Sequence, residues 1–290
     1  MVSRRVVSKM AKADKSRPRV CVEDASIPGH AQLLDVRSFL PAGGGLLLPI
    51  VLYFQGGGFI SRSLPDSDKV AYALARDTPA WVISVCYSLA PEFPFPVPLE
   101  DGYRALLWAI ANAHAQGADP TKIAVAGHDA GGNLATCLAA MVRDRGQAYL
   151  SGQVLIAPLL DPSLTRIIST IDERKSDLDL FECAKYYRAY LPHPLQRMHP
   201  YVAPIESRRL SGLAPTFIAN AEHDLFRGEA DAYATALITA GVVTISAQYS
   251  GTTHQTIFQN SSVIKDVVTF LTGCFAMPVK ALDDDDQCCW

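Results

Sequence analysis

Short apolar runs punctuate the chain, and stretches of helical spacing lie between them. Leu47 to Phe54 is continuously apolar and ends in Gly56-Gly57-Gly58, and Trp81 to Tyr87 is a second run ending near Pro91. Ile123 to Ala126 is short and is followed by Gly127, while Gln153 to Ala157, Thr216 to Asn220 and Val243 to Tyr249 repeat the pattern. Runs of this length, bounded by glycine and proline, predict strands buried on both faces. Glu100 to Ala113 places Tyr103, Leu106, Leu107 and Ile110 on one helical face, and Asn133 to Arg145, Gly228 to Ala240 and Ser262 to Phe275 have the same spacing. Val20 to Ser26 and Gln32 to Leu40 alternate in part across Pro28-Gly29, which suits antiparallel strands. Apolar strands alternating with helices predict an α/β domain: a mostly parallel central sheet of about eight strands, with helices on both faces.

That domain is expected over residues 18–280. Residues 162–205 break the alternation and are rich in tyrosine, proline and charge. They predict a small cap insertion above the sheet, with one helix at Leu178 to Tyr190. Residues 1–17 are basic and form a tail or reduced cap, in which Val2, Val6, Val7 and Met10 could mark one face of a short helix. Residues 281–290, opening near the run Asp283 to Asp286, read as an acidic, solvated tail.

With 290 residues the chain has ample core to fold unaided. Its formal charge of −3 gives no basic surface, so no nucleic-acid partner is expected. No run is long enough for a membrane span. The seven cysteines contain no CxxC pair, so neither a metal nor another cofactor is expected. The basic N-terminus has no apolar stretch after it, and a reduced, cytoplasmic protein is the expectation.

Three segments end predicted strands, where open α/β sheets place their ligands. Gln55-Gly56-Gly57-Gly58 can turn its N–H groups outward as an oxyanion cradle, although glycine runs also occur in ordinary loops, as at Gly43-Gly44-Gly45. Gly127-His128-Asp129-Ala130-Gly131-Gly132 has the G-x-X-x-G frame of a nucleophile elbow, which holds its central residue at a helix N-terminus. A turn that only packs tightly would look the same. Asp224 follows one strand and His254 the next, the chain order of a hydrolase relay.

Together these segments resemble the hormone-sensitive-lipase-like branch of the α/β-hydrolases, which are mostly carboxylesterases of short-chain esters. Tyr53-Phe54-Gln55-Gly56-Gly57-Gly58-Phe59 resembles the oxyanion motif, Tyr87 to Pro96 with Glu100-Asp101 the stretch after the fourth strand, and Glu222-His223-Asp224 with Arg227 and Glu229 the acid loop. His254 matches the family histidine. The resemblance implies an α/β-hydrolase fold and a small-molecule substrate. It also implies Asp129, His254 and Asp224 as the catalytic positions, with Gly56, Gly57 and Ala130 as the oxyanion hole. Homodimers are common among such proteins.

The chain departs from the family at the decisive position. The family elbow reads Gly-Asp-Ser-Ala-Gly-Gly, so Asp129 stands where the nucleophilic serine is expected, His128 where an aspartate is, and Gln55 where a histidine is. Gln55 and His128 become candidate substrate-binding residues. Three readings stay open. Asp129 could be a nucleophile of the epoxide-hydrolase type, with Tyr186, Tyr187, Tyr190 or Tyr201 as acid. The site could be an inactive pseudo-hydrolase that binds a small ligand, as in plant hormone receptors that resemble this family. Residual ester hydrolysis of a small apolar ester could use Asp129 or His254 as base.

Overall fold

The computed structural model describes residues 4–6, 19–42, 47–62, 64–166 and 176–278. Its strands are β1 (Arg4–Val6), β2 (Val20–Pro28), β3 (Leu33–Pro41), β4 (Leu48–Phe54), β5 (Trp81–Cys86), β6 (Ala118–His128), β7 (Gly152–Ile156), β8 (Thr216–His223) and β9 (Thr244–Thr253). They form one sheet in the order β1-β2-β3-β5-β4-β6-β7-β8-β9. β4 to β9 run parallel to their neighbours, while β1, β2 and β3 join antiparallel at one edge. The sheet is therefore nine-stranded and mostly parallel: the eight strands expected, with the short β1 paired at its edge.

The helices are α1 (Leu64–Asp77), α2 (Val97–Asn112), α3 (Ala130–Arg145), α4 (Leu180–Tyr190), α5 (Arg227–Thr239) and α6 (Ser261–Ala276). Side chains alternate across each strand, so β4 sends Ile50, Leu52 and Phe54 into one core and Val51 and Tyr53 into the other. The first core is roofed by α2, α3 and α5, through residues such as Leu106, Leu138 and Leu237. The second is roofed by α1 and α6, through Leu74, Val267 and Leu271. Burial on both faces is why these strands read as unbroken apolar runs.

Three features differ from the sequence expectation. Residues 4–6 pair with β2 as a strand, not a helix. Helix α1 was not anticipated, because its buried face is made of the small and modest side chains Val70, Ala71, Leu74 and Ala75. β6 starts at Ala118, five residues before the apolar stretch, through the polar Asp119 and Lys122. Cys137 is buried as expected of a packing thiol, but Cys86 at the end of β5 is only half-buried. The acidic tail of residues 281–290 lies outside the described residues. No helix among the described residues is long and apolar enough to cross a membrane.

Two register pairs set up the site. Phe54 pairs with Gly127 across β4 and β6, which brings the loop after Phe54 beside the loop after Gly127. His223 pairs with Thr253 across β8 and β9, which makes Asp224 and His254 neighbours. Strand order reverses at β4, where a crevice opens at the carboxyl ends of the strands.

Candidate active site

Asp129 sits between the end of β6 and the start of α3, with φ 56° and ψ −124°. This left-handed geometry on a non-glycine residue is the strained turn that lifts an elbow side chain off the sheet. It is held in place by the backbone: Asp129 N donates to Ile156 O at 3.0 Å, and its carbonyl accepts from Gly132 N and Asn133 N. The residue is 8% exposed.

The carboxylate of Asp129 fills the glycine cradle. Its Oδ2 accepts from Gly57 N at 2.7 Å and from Gly58 N at 2.9 Å. Gly57 and Gly58 have φ of 119° and 58°, which turns successive N–H groups toward one point. The cradle thus sits one residue further along than the pair Gly56 and Gly57. Gly56 lines the cavity above the site, close against His128 and Asp129. Ala130 opens α3 and is fully buried. Gly58 is a donor that sequence reasoning passed over, although it closes the same glycine run.

The other oxygen, Oδ1, lies 3.3 Å from His254 Nε2. On the far side of the ring, His254 Nδ1 lies 2.9 Å from Asp224 Oδ2. Asp224 is itself fixed, since its Oδ1 accepts from Phe226 N at 2.9 Å. Asp129, His254 and Asp224 are therefore one buried chain of two carboxylates about a single imidazole.

Charge follows from that chain. Burial alone would raise the Asp129 carboxyl, but the hydrogen bond and charge of His254 and the Gly57 N–H outweigh it and hold the group far below the usual carboxylate range. Burial alone would lower His254, but the charge of Asp224 and the hydrogen bonds that the ring donates to both carboxylates outweigh it and raise the imidazole well above its usual value. Both carboxylates favour the charged imidazolium form of His254. His128 goes the other way, pushed down to about 4 by burial and by the neighbouring His254 charge. Its Nε2 lies 3.4 Å from the His254 carbonyl and its ring packs at a tilt of 47° against Phe258, with centroids 4.7 Å apart.

A cavity of about 380 Å³ opens above Asp129. Gln55 and His128 both line it, as do Leu178, Cys183 and Tyr186 from the insertion. Of the four candidate tyrosines only Tyr186 lines the cavity. Tyr187 and Tyr190 are buried in the core, and the Tyr201 hydroxyl donates to Asp144. Gln55 is 2% exposed, and neither its Oε1 nor its Nε2 has a hydrogen-bond partner. Phe226 and Phe258 also line the cavity and escaped sequence reasoning. Their signal was position, just after Asp224 and His254. Asp177 in the insertion accepts from the Thr253 hydroxyl and from Gln255 N at 3.0 Å, which ties the cap to the histidine loop. Asp101 is a scaffold residue that accepts from His30 N and Ser88 N, whereas Glu92 is exposed. Among the described residues no group of His, Cys, Asp and Glu side chains could hold a metal ion.

A nine-stranded open sheet with an elbow after β6, an acid after β8 and a histidine after β9 defines an α/β-hydrolase. The family model described as alpha/beta hydrolase fold matches residues 51–258, and the chain belongs to that family. Several of its relatives are esterases. The carboxylesterase NlhH of Mycobacterium tuberculosis is 37% identical over 230 residues, covering 78% of this chain and 72% of that protein. The ethyl acetate hydrolase of Pseudomonas putida is 33% identical over 265 residues, covering 88% of this chain and 81% of that protein. Among solved structures, a hyperthermophilic esterase from the archaeon Pyrobaculum calidifontis superposes with a TM-score of 0.79 at 35% identity, covering 91% of this chain and 88% of that one.

Proposed function

We propose that this chain is an esterase-type scaffold whose acyl-transfer site is held closed by its own Asp129, and whose cavity binds a small, mostly apolar molecule without hydrolysing it. The carrying observation is the carboxylate oxygen in the Gly57–Gly58 cradle. An ester is hydrolysed at such a site only when its carbonyl oxygen takes those two N–H groups as charge develops. Here a permanent anion holds them. Hydrogen bonds to a charged group contribute about 1.5–3 kcal/mol each, so a neutral carbonyl displaces this one at a cost of about 3–6 kcal/mol. The base is lost as well, since an imidazolium between two carboxylates has no lone pair to accept a proton. Asp129 stands in for the oxyanion of an acyl-transfer intermediate, and the site is satisfied without substrate.

The test is hydrolysis of p-nitrophenyl acetate by the wild type, by Asp129→Ser and by Asp129→Ser/His254→Ala. The wild type should stay at buffer background. Asp129→Ser should gain turnover that the double variant loses. Wild-type turnover that depends on His254 would sink the reading.

One observation favours a second reading. Oδ2 already lies where an oxyanion would form, and Oδ1 faces His254 beside the cavity. With an epoxide, Oδ1 would attack a ring carbon and the C–O bond would break. The alkoxide would take the His254 proton. The neutral imidazole would then accept a proton from the water that attacks the Asp129 ester carbon, regenerating the carboxylate. Incubation with styrene oxide and mass spectrometry of the Asp129 peptide separates the two readings. An adduct or diol formation favours this one.

A further inference from the structure

The polarity of the cavity narrows its ligand, provided that the cavity is the binding site proposed above. Among the described residues, none that lines the cavity is lysine or arginine. The charged groups that meet the cavity are Asp129 and His254, and Asp224 lies directly behind the imidazole. Two carboxylates thus surround one cation, and the site carries a net negative charge. Two basic side chains of the flanking segments are committed elsewhere. Arg62 donates to the carbonyls of Cys86 and Tyr87, and Lys185 pairs with Glu182 and lies over the Phe181 ring.

Acceptors and aromatic faces complete the picture. Asp129 Oδ1 has one neighbour, His254 Nε2 at 3.3 Å, and a carboxylate oxygen accepts about two hydrogen bonds. Gln55 in the wall of the same cavity adds an amide whose carbonyl and NH2 both lack partners. Tyr53, Tyr186, Phe226 and Phe258 contribute rings. A carboxylate at the floor, spare acceptors and aromatic walls together form a setting for an ammonium group.

We propose that the cavity is selective for a small protonated amine with an apolar body, its ammonium group donating to Asp129 Oδ1 and its body packed between Tyr186 and Phe258. Carboxylate ligands are excluded by the same charge. Asp129 would then have two roles, closing the oxyanion cradle with one oxygen and recognising the ligand with the other.

Three probes of one shape test this by calorimetric titration of the full chain at pH 7.5: 2-phenylethylamine, 2-phenylethanol and 3-phenylpropanoate. The amine should bind about tenfold tighter than the alcohol, and the carboxylate more weakly than either. In Asp129→Asn the amine should lose its advantage while the alcohol keeps its affinity. Asp129→Ser should do the same if the asparagine variant folds poorly. The proposal is overturned if the carboxylate binds as well as the amine, if the preference survives both substitutions, or if no probe binds. Ester turnover by the wild type would overturn the closed-site reading alone, because none of the three probes can be hydrolysed.

Discussion

Replacing His254 by glutamine should destabilise the protein more than replacing Asp129 by asparagine. The reason is charge count. Nε2 lies 3.3 Å from Asp129 and Nδ1 2.9 Å from Asp224, and at an effective dielectric of 20 each contact is a gross attraction of about 5 kcal/mol. Desolvation offsets much of this, and breaking a buried pair by removing one partner costs about 3–5 kcal/mol net. His254→Gln leaves two buried carboxylates and no cation. Asp129→Asn leaves a balanced His254–Asp224 pair, and the asparagine carbonyl can still accept from Gly57 and Gly58 as neutral hydrogen bonds, so its cost should be about 2–3 kcal/mol, below that of His254→Gln. Urea unfolding, followed by fluorescence of the fully buried Trp81, measures both. At about 2 °C per kcal/mol for a chain of this size, His254→Gln should lower Tm by about 6 °C or more.

The pH dependence should also change sign. In the wild type the depressed Asp129 contributes stability that is present above its unfolded value and lost only as pH falls through its low folded value. The raised His254 contributes fully below its unfolded value near 6.5, and this is lost as pH rises through the folded one. Without the imidazolium, burial raises the carboxylates instead. His254→Gln should therefore lose stability steadily as pH rises from 5 to 7.5, where the wild-type Asp129 contribution is flat. A His254→Gln protein as stable at pH 7.5 as Asp129→Asn would refute the reasoning.

Glu229 is a buried acid held by one oxygen, its Oε2 accepting from Leu160 N at 3.2 Å. Burial and the nearby Asp161 charge push its carboxyl well above the usual value, and its Oε1 has no partner. Its contribution is lost as pH rises through that raised value, so Glu229→Gln should be more stable than the wild type at pH 8 and closer to it at pH 5, as read by Tm at both. Gly131→Ala should prevent formation of the elbow. An alanine Cβ there would lie 2.1 Å from the Phe54 carbonyl oxygen, and β4 and α3 would have to part. Soluble yield and Tm should fall by more than for Gly146→Ala, where no atom lies within 4 Å and only the positive φ opposes the change.

The parts of the molecule legible in sequence are those where burial on both strand faces left unbroken apolar runs. β4, β5 and β8 were visible for that reason, as were α2 and α6 with their wide apolar stripes. Helix α1 was not, because Ala71 and Ala75 carry much of its packing and alanine adds little to an amphipathic pattern. The order of Asp129, Asp224 and His254 could be read along the chain, since it needs only strand ends. Which glycine N–H groups converge could not. Gly56, Gly57 and Gly58 are identical as letters, and they differ only in the backbone angles that the Phe54–Gly127 register imposes. Likewise four tyrosines in the insertion were equivalent until the orientation of α4 turned Tyr187 and Tyr190 into the core and left Tyr186 at the cavity.

One side chain thus accounts for two changes at once. A serine at position 129 would present one oxygen, which could reach the histidine but not the cradle as well. Aspartate presents two, and the elbow geometry directs one to Gly57 and Gly58 and the other to His254. Filling the cradle and charging the imidazole are therefore not separable changes. Each stabilises the anion that causes the other, because the cradle keeps Asp129 ionised and the ionised Asp129 keeps His254 protonated. A neutral substitution at 129 releases both together, which is why the serine variant tests the whole site and substitutions at His128 or Gln55 do not.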